Sequence, residues 1–167
     1  MNVRPATAAD VPAIAQIHVA AWRAAYRGHM PDAYLDALSI DQRRAMWASV
    51  VARAGPGHVA VLETGFCYYG PSRDGQDGAA EIYALYVHPD AWRQGSGRAL
   101  CEHAERHAST LELATMTLWV LEANEPARRF YERLGYAPDG AQRTNTRLIG
   151  TPLHEMRYRK PNSVPGT

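Results

Sequence analysis

The residues of this chain best spaced for chemistry lie in the run Arg93-Gln94-Gly95-Ser96-Gly97-Arg98, which follows an apolar stretch, Tyr83-Ala84-Leu85-Tyr86-Val87, and a His88-Pro89 break. Glycine lets a backbone approach a ligand closely, and the free amides at a helix start, aided by the helix dipole, favour a phosphate. The run reads as a phosphate-binding turn, with Arg93 and Arg98 able to add charge-assisted bonds to phosphate oxygens. Two glycines alone would favour an ordinary strand-to-helix turn, so the surrounding chain has to decide. A P-loop would need Gly-Lys followed by Ser or Thr after four spacers, and no lysine stands here. A dinucleotide fingerprint would need a third glycine three residues after Gly97, where Leu100 stands.

Other chemistries find less support. Cys67 and Cys101 are the only cysteines, too few for a disulfide framework and outside any metal-ligand spacing, and they read as buried free thiols. The seven histidines show no metal spacing either, so no metal is expected. Basic and acidic residues number 18 and 17, which gives no global field for nucleic acid or an anionic membrane. Only Lys160 among the basic residues is lysine; the 17 arginines read mostly as compositional bias. The N-terminus lacks the pattern of a secretory signal, and no stretch approaches the ~18 apolar residues of a membrane span, so a cytoplasmic location is expected.

These residues must be positioned by a single domain. With 167 residues, 46% hydrophobic and 21% charged, the chain is long enough for one sizeable core, expected over residues 1–160 with a disordered tail at 161–167. Residues 2–5 read as a short strand, and Thr7 with Asp10 as a capping box. Val11, Ile14, Ile17, His18, Ala21, Trp22 and Ala25 then recur on one helical face as far as Tyr26, and Gly28 ends it. Pro31 and Asp32 open a second helix, and a third runs over 41–53. The pattern then changes to strands at 58–63, 66–69 and 81–87. A helix follows from the Gly95 turn, with a strand at 115–121. Ala123 or Asn124 caps a last helix that Gly135 stops, and two strands fit 136–143 and 154–159.

The segment from Val87 to Arg98 resembles the cofactor motif of the GNAT superfamily of acyl-CoA-dependent N-acetyltransferases: an apolar strand end, a proline soon after, then Arg/Gln-x-x-Gly-x-Gly/Ala opening a helix. Trp92 stands where the family usually has Arg or Gln, beside Arg93. A second block agrees. Leu118-Trp119-Val120-Leu121, then Asn124, then Phe130-Tyr131 and Leu134-Gly135-Tyr136 follow the family's strand, Asn, helix, Phe-Tyr and Leu-Gly-Tyr/Phe order. Arg4-Pro5-Ala6-Thr7 and the run from Trp22 to Gly28 extend the resemblance over about residues 2–160.

The resemblance implies an α/β (α+β) fold, with a mixed, mostly antiparallel central sheet flanked by helices, and acetyl-CoA as cosubstrate. It implies that the cofactor strand splays from its neighbour, so that backbone groups at Leu85, Tyr86 and Val87 pair with the pantetheine arm and the Leu85 amide faces the thioester oxygen. Arg93, Gln94, Gly95, Ser96, Gly97 and Arg98 would hold the pyrophosphate. Asn124 would bond the pantetheine as well as cap its helix, and Tyr131 would give a proton to the cofactor sulfur. Glu81 stands where many members keep the carboxylate that deprotonates the amine, although the residue read alone is equally a solvated strand-end glutamate; Glu122 and His88 are weaker candidates. Trp22 and Tyr26, with His29 and Tyr34 nearby, would form the acceptor wall, and Tyr68, Tyr69 and Tyr83 could line the opposite one. The ribosomal-protein alanine acetyltransferases carry a glutamate where this chain has Trp119, which points away from a protein N-terminus and toward a small-molecule amine attacked directly in a ternary complex. A protein or peptide acetyltransferase and a non-catalytic acyl-CoA sensor are the alternatives. Dimers are common in the family, but the sequence singles out no interface.

Overall fold

The computed structural model describes residues 1–146 and 148–162. Among them seven strands form one sheet: β1 (Arg4–Pro5), β2 (His58–Leu62), β3 (Gly65–Pro71), β4 (Ala79–Val87), β5 (Thr115–Leu121), β6 (Ala137–Asn145) and β7 (Leu153–Pro161). Their spatial order is β1-β2-β3-β4-β5-β7-β6, and every neighbouring pair is antiparallel except β4 with β5. A parallel pair needs a crossover, supplied here by α4 (Ser96–Thr110). The remaining helices are α1 (Val11–Tyr26), α2 (Asp32–Asp36), α3 (Ile40–Ala52) and α5 (Glu125–Arg133). This is the mixed, mostly antiparallel sheet with flanking helices that the resemblance implied.

Each face of the sheet has its own core. On one, Ile14 and Ile17 of α1 and Trp47 of α3 pack against Val61 and Phe66. On the other, Leu100, Cys101, Ala104 and Ala108 of α4 meet Cys67, Tyr69, Ile82, Met116 and Leu118, with Phe130 and Tyr131 of α5 at the margin. Both cysteines are free and buried. A third cluster joins Met30 and Leu35 to Leu121 and Leu153 and closes the end of the sheet beyond β5.

Two irregularities of β4 create the space for a site. The first is a bulge: Tyr68 pairs with Ala84 but Tyr69 with Ile82, so Tyr83 is the extra residue. A bulge reverses the alternation of side chains. Ala80 and Ile82 before it, and Leu85 and Val87 after it, therefore all belong to the α4 face, while Ala84 and Tyr86 turn to α1 and α3. The second is a splay. The ladder between β4 and β5 runs from Ala79↔Thr115 to Ile82↔Leu118 and then ends, although both strands continue.

Element boundaries differ from the sequence reading mainly at the ends. β4 begins at Ala79, so Glu81 is its third residue rather than its first, and β6 reaches Asn145. Pro161, assigned by sequence to the tail, pairs with Thr115, and Asn162 is buried with its backbone N–H on the Ala114 carbonyl and its amide on the Leu113 carbonyl, each at 2.8 Å. The rest of the expected tail, residues 163–167, lies outside the described residues. No helix among the described residues is long and apolar enough to cross a membrane.

Candidate active site

The diverging ends of β4 and β5 enclose a cavity of about 370 Å³. Its walls are residues 82–87 and 118–121 of the two strands, Trp22 and Tyr26 of α1, Asn124 before α5, and Tyr131 within it. The β3 ladder determines which backbone groups of β4 look into the opening. His88 donates its N–H to the Thr64 carbonyl at 2.8 Å, and the pairing continues as Val87↔Gly65, Tyr86↔Phe66 and Leu85↔Cys67. In an antiparallel ladder bonded and non-bonded pairs alternate. The N–H and C=O of Tyr86 are thus turned to β3, and those of Leu85 and Val87 to the opening. This corrects the expectation that all three backbones pair with a ligand: Tyr86 contributes its ring, stacked on His18 with centroids 5.0 Å apart.

At the mouth of the opening lies the glycine loop. Arg93 and Gly95 both adopt left-handed backbone, with φ of 63° and 91°, and α4 starts immediately after. Such alternation turns successive N–H groups into an anion-binding concavity, and the first-turn amides of a helix have no intrahelical acceptor. Ala99 is the first to find one, the Gly95 carbonyl at 3.0 Å. The side chains of the loop mostly point elsewhere. Ser96 is buried against the Thr64 hydroxyl at 2.9 Å, and Gln94 donates to the Asp90 carbonyl at 3.0 Å. Arg93 and Arg98 are exposed, Arg98 within 3.6 Å of Glu102. Gly97 is closely packed, since a Cβ there would stand 3.0 Å from Cζ of Phe130. Trp92 donates its indole N–H to the Val87 carbonyl at 2.8 Å.

Tyr131 and Asn124 come to the cavity from α5. Asn124 is buried and caps that helix, its Oδ1 accepting from the Ala127 N–H at 3.2 Å. Burial pushes the Tyr131 phenol well above its ordinary value, so it keeps its proton throughout the neutral range.

Glu81 is not the solvated strand-end carboxylate that its sequence position allows. It is 1% exposed and accepts from Arg73 three times: the backbone N–H and Nε to Oε2 at 2.9 and 3.3 Å, and a terminal guanidinium nitrogen to Oε1 at 2.7 Å. Arg73 in turn lies over the Tyr83 ring at 4.3 Å. Glu122 and His88 are not among the residues lining this cavity, and His88 caps the short turn that follows it.

Of the proposed acceptor wall, Trp22 and Tyr26 do line the cavity, edge to face with centroids 5.0 Å apart. Tyr83 lines it as well. Tyr68 instead packs on Trp47, and Tyr69 bonds His107 on the α4 face at 2.9 Å. Tyr34 joins the cluster around Leu35, and His29 is exposed. The residues that sequence reasoning missed are Arg73, Arg143 and Glu155. Arg143 of β6 donates Nε to Glu155 of β7 at 2.6 Å and lies over the Trp119 ring at 4.3 Å. Glu155 lines the cavity with Tyr26, whose phenol is raised by burial, by Tyr86 and by the Glu155 charge. The one available signal was the pair of opposite charges on the last two strands, and it becomes a contact only through a register shift between Pro138 and Gln142. Among the described residues no group of three or more His, Cys, Asp or Glu could hold a metal ion.

Known proteins are similar to this chain in sequence and in fold. YuaI of Bacillus subtilis, an uncharacterized N-acetyltransferase, is 32% identical over 163 residues, covering 93% of this chain and 90% of its own. A shorter match, 40% over 57 residues, covering 34% of this chain and 38% of its own, is to the ribosomal protein bS18 alanine N-acetyltransferase of Escherichia coli. In fold, the PaiA N-acetyltransferase of Thermoplasma acidophilum, solved with coenzyme A, superposes with a TM-score of 0.73 at 16% identity, covering 96% of this chain and 98% of that one. Residues 11–136 match the profile of the acetyltransferase (GNAT) family. That profile and the YuaI match show that the chain belongs to the GNAT family of acetyltransferases.

Proposed function

We propose that the protein transfers the acetyl group of acetyl-CoA to the primary amine of a small molecule while both are bound. The observation that carries this reading is the continuity of the site. The opening between β4 and β5 meets the anion-binding loop at one end and, at the other, a walled space holding aromatic rings and carboxylates. The residues present fit an acyl-CoA. Outward-facing backbone at Leu85 and Val87 can pair with the amides of a pantetheine arm, and the amides of residues 95–98 with Arg93 and Arg98 can receive a pyrophosphate.

Acetyl-CoA supplies an acyl thioester. The acceptor nitrogen forms the new N–C bond as the C–S bond breaks, so an ammonium and a thioester become an amide, a thiol and one proton. Within that balance the chain has four tasks. The Leu85 N–H orients the acyl oxygen and favours the charge that grows on it. Tyr131, kept protonated by burial, holds a proton toward the departing sulfur. Glu81 takes the proton that the amine must lose, directly or through a water. Its Oε1 accepts only one bond from Arg73 and keeps a lone pair for that purpose. Trp22 and Tyr26 exclude water from the acceptor.

Two features support a small acceptor over a polypeptide. The cavity must take the end of the cofactor as well as the acceptor within about 370 Å³. Its rim at Trp119 is also closed by Arg143 on one side and, through the indole N–H, by Asp74 at 2.9 Å. Thiol release from acetyl-CoA, measured against a panel of small amines and N-terminal peptides, tests the reading. Turnover restricted to small amines supports it, turnover confined to peptides refutes the acceptor assignment, and binding of acetyl-CoA without thiol release from any amine identifies a non-catalytic sensor.

A further inference from the structure

Four charged side chains line the cavity wall away from the glycine loop, and they are arranged as two matching constructions. In each, a glutamate holds one edge of an arginine while an aromatic ring holds its face: Glu81 and Tyr83 for Arg73, Glu155 and Trp119 for Arg143. A guanidinium fixed on one edge and one face is pre-organised, with its remaining N–H groups available in a known direction. Arg157 shows the contrast. It too lies over Trp119, at 5.7 Å, but bonds both Asp139 and Asp74, at 2.6 and 3.3 Å. Arg143 has only Glu155 as a partner among the described residues.

The same wall holds a buried donor. The Trp22 indole N–H reaches no hydrogen-bond partner within ordinary distance among the described residues, and the group it leans toward is the Tyr86 hydroxyl, closely enough to offset part of the rise that burial imposes on that phenol. Glu155 lines the same cavity as the rings of Trp22, Tyr26 and Tyr86, and a carboxylate that shares a cavity with aromatic rings can receive an ammonium.

We propose that the acceptor is a zwitterion, a free amino acid whose ammonium is received by Glu155 and whose carboxylate is received by Arg143. The inference rests on the acetyltransferase reading given above and names its substrate class. The chemistry is matched in scale: an α-ammonium and its carboxylate are one carbon apart, and Glu155 and Arg143 are bonded to each other, so the two pairs can meet head to tail as a four-charge ring. A plain amine would leave the Arg143 edge without an acceptor, and a site that supplies a donor to one substrate group discriminates against the analogue that lacks it.

The test compares free amino acids with their methyl esters and their decarboxylated amines. Binding is read by calorimetry on protein saturated with coenzyme A, and turnover by thiol release from acetyl-CoA. The loss of charge-assisted hydrogen bonds predicts that at least one free amino acid binds on the order of 10- to 100-fold more tightly than its ester or its decarboxylated amine. Arg143→Gln should reduce that ratio to a few-fold, and Arg143→Lys should restore only part of it, because a point charge does not reproduce the fork. Esters or plain amines that bind as tightly as the free acids would overturn the inference, as would a ratio untouched by Arg143→Gln or an absence of binding by every amino acid tried. Turnover of amines without preference for a carboxylate defeats this inference alone, whereas no thiol release with any amine defeats the acetyltransferase reading beneath it.

Discussion

His18 makes the packing behind the site measurable through pH. It lies on α1, 6% exposed, stacked on Tyr86 and accepting the Trp47 indole N–H on Nδ1 at 2.9 Å. That bond requires Nδ1 to be unprotonated, and Nε2 is buried without a partner among the described residues. Burial, helped by the positive charge of Arg43, pushes the imidazole down from 6.5 to about 3. The unfolded chain therefore binds a proton that the folded chain refuses. The stability present above pH 6.5 is lost progressively as the pH falls toward 3. Linkage over these two values gives a loss of about 2 kcal/mol between pH 7 and pH 5. For a chain of this size that is about 4–8 °C in Tm. His58 and His103 are lowered as well and add to the slope in the same direction, while Asp10, held low by Arg4, titrates below this window. The share due to His18 is isolated with His18→Asn, whose Oδ1 can still accept from Trp47. Thermal melts followed by circular dichroism at half-unit steps from pH 7.5 to 5 should show a steep wild-type slope and a shallower one in the variant, whatever their offset. A wild-type Tm that stays flat over this range, or equal slopes in the two proteins, would refute the assignment of a buried neutral imidazole.

The proposed site yields three more expectations. Tyr131→Phe should leave coenzyme A affinity by calorimetry within about twofold and lower kcat on the order of 100-fold, as loss of a positioned proton donor does; equal kcat in the two proteins across pH 6–9 would remove Tyr131 from the reaction. Gly97→Ala drives a methyl to 3.0 Å from the Phe130 ring, and overpacking of that kind costs about 1–3 kcal/mol, so Tm should fall by several degrees and the KM for acetyl-CoA should rise as α4 shifts. Glu81→Gln removes the proposed proton acceptor and leaves Arg73 without its buried counter-charge; kcat/KM should drop at least tenfold near neutral pH and recover in part as alkaline pH supplies free amine, whereas a uniform drop at every pH would assign Glu81 to structure alone.

The half of the site that handles the cofactor is legible in the sequence because it is built from backbone. Left-handed residues at 93 and 95, a helix start at Ser96 and a capped helix start at Asn124 are all local events, and local events leave fixed marks such as Gly95, Asn124 and Gly135. Even here one glycine has a constraint its motif does not reveal, since the close neighbour of Gly97 is Phe130, 33 residues later in the chain. The acceptor half depends instead on register. The bulge at Tyr83 decides that Ala84 and Tyr86 lie on the face opposite Ala80 and Ile82, and nothing in the alternation of Ala79 to Val87 announces it. The irregularity between Pro138 and Gln142 decides that Arg143 meets Glu155; a strand slipped by one residue would put Arg143 on the other face. Side chains from α1, β4, β5, β6 and β7 meet in this wall, so no window of sequence contains it. The two halves are also physically independent. The loop that would receive the pyrophosphate is fixed by main-chain conformation, and the wall beyond the reacting atoms can exchange one charged pair for another without disturbing it. A chain can therefore keep the readable half unchanged while wall residues such as Arg143 and Glu155 vary.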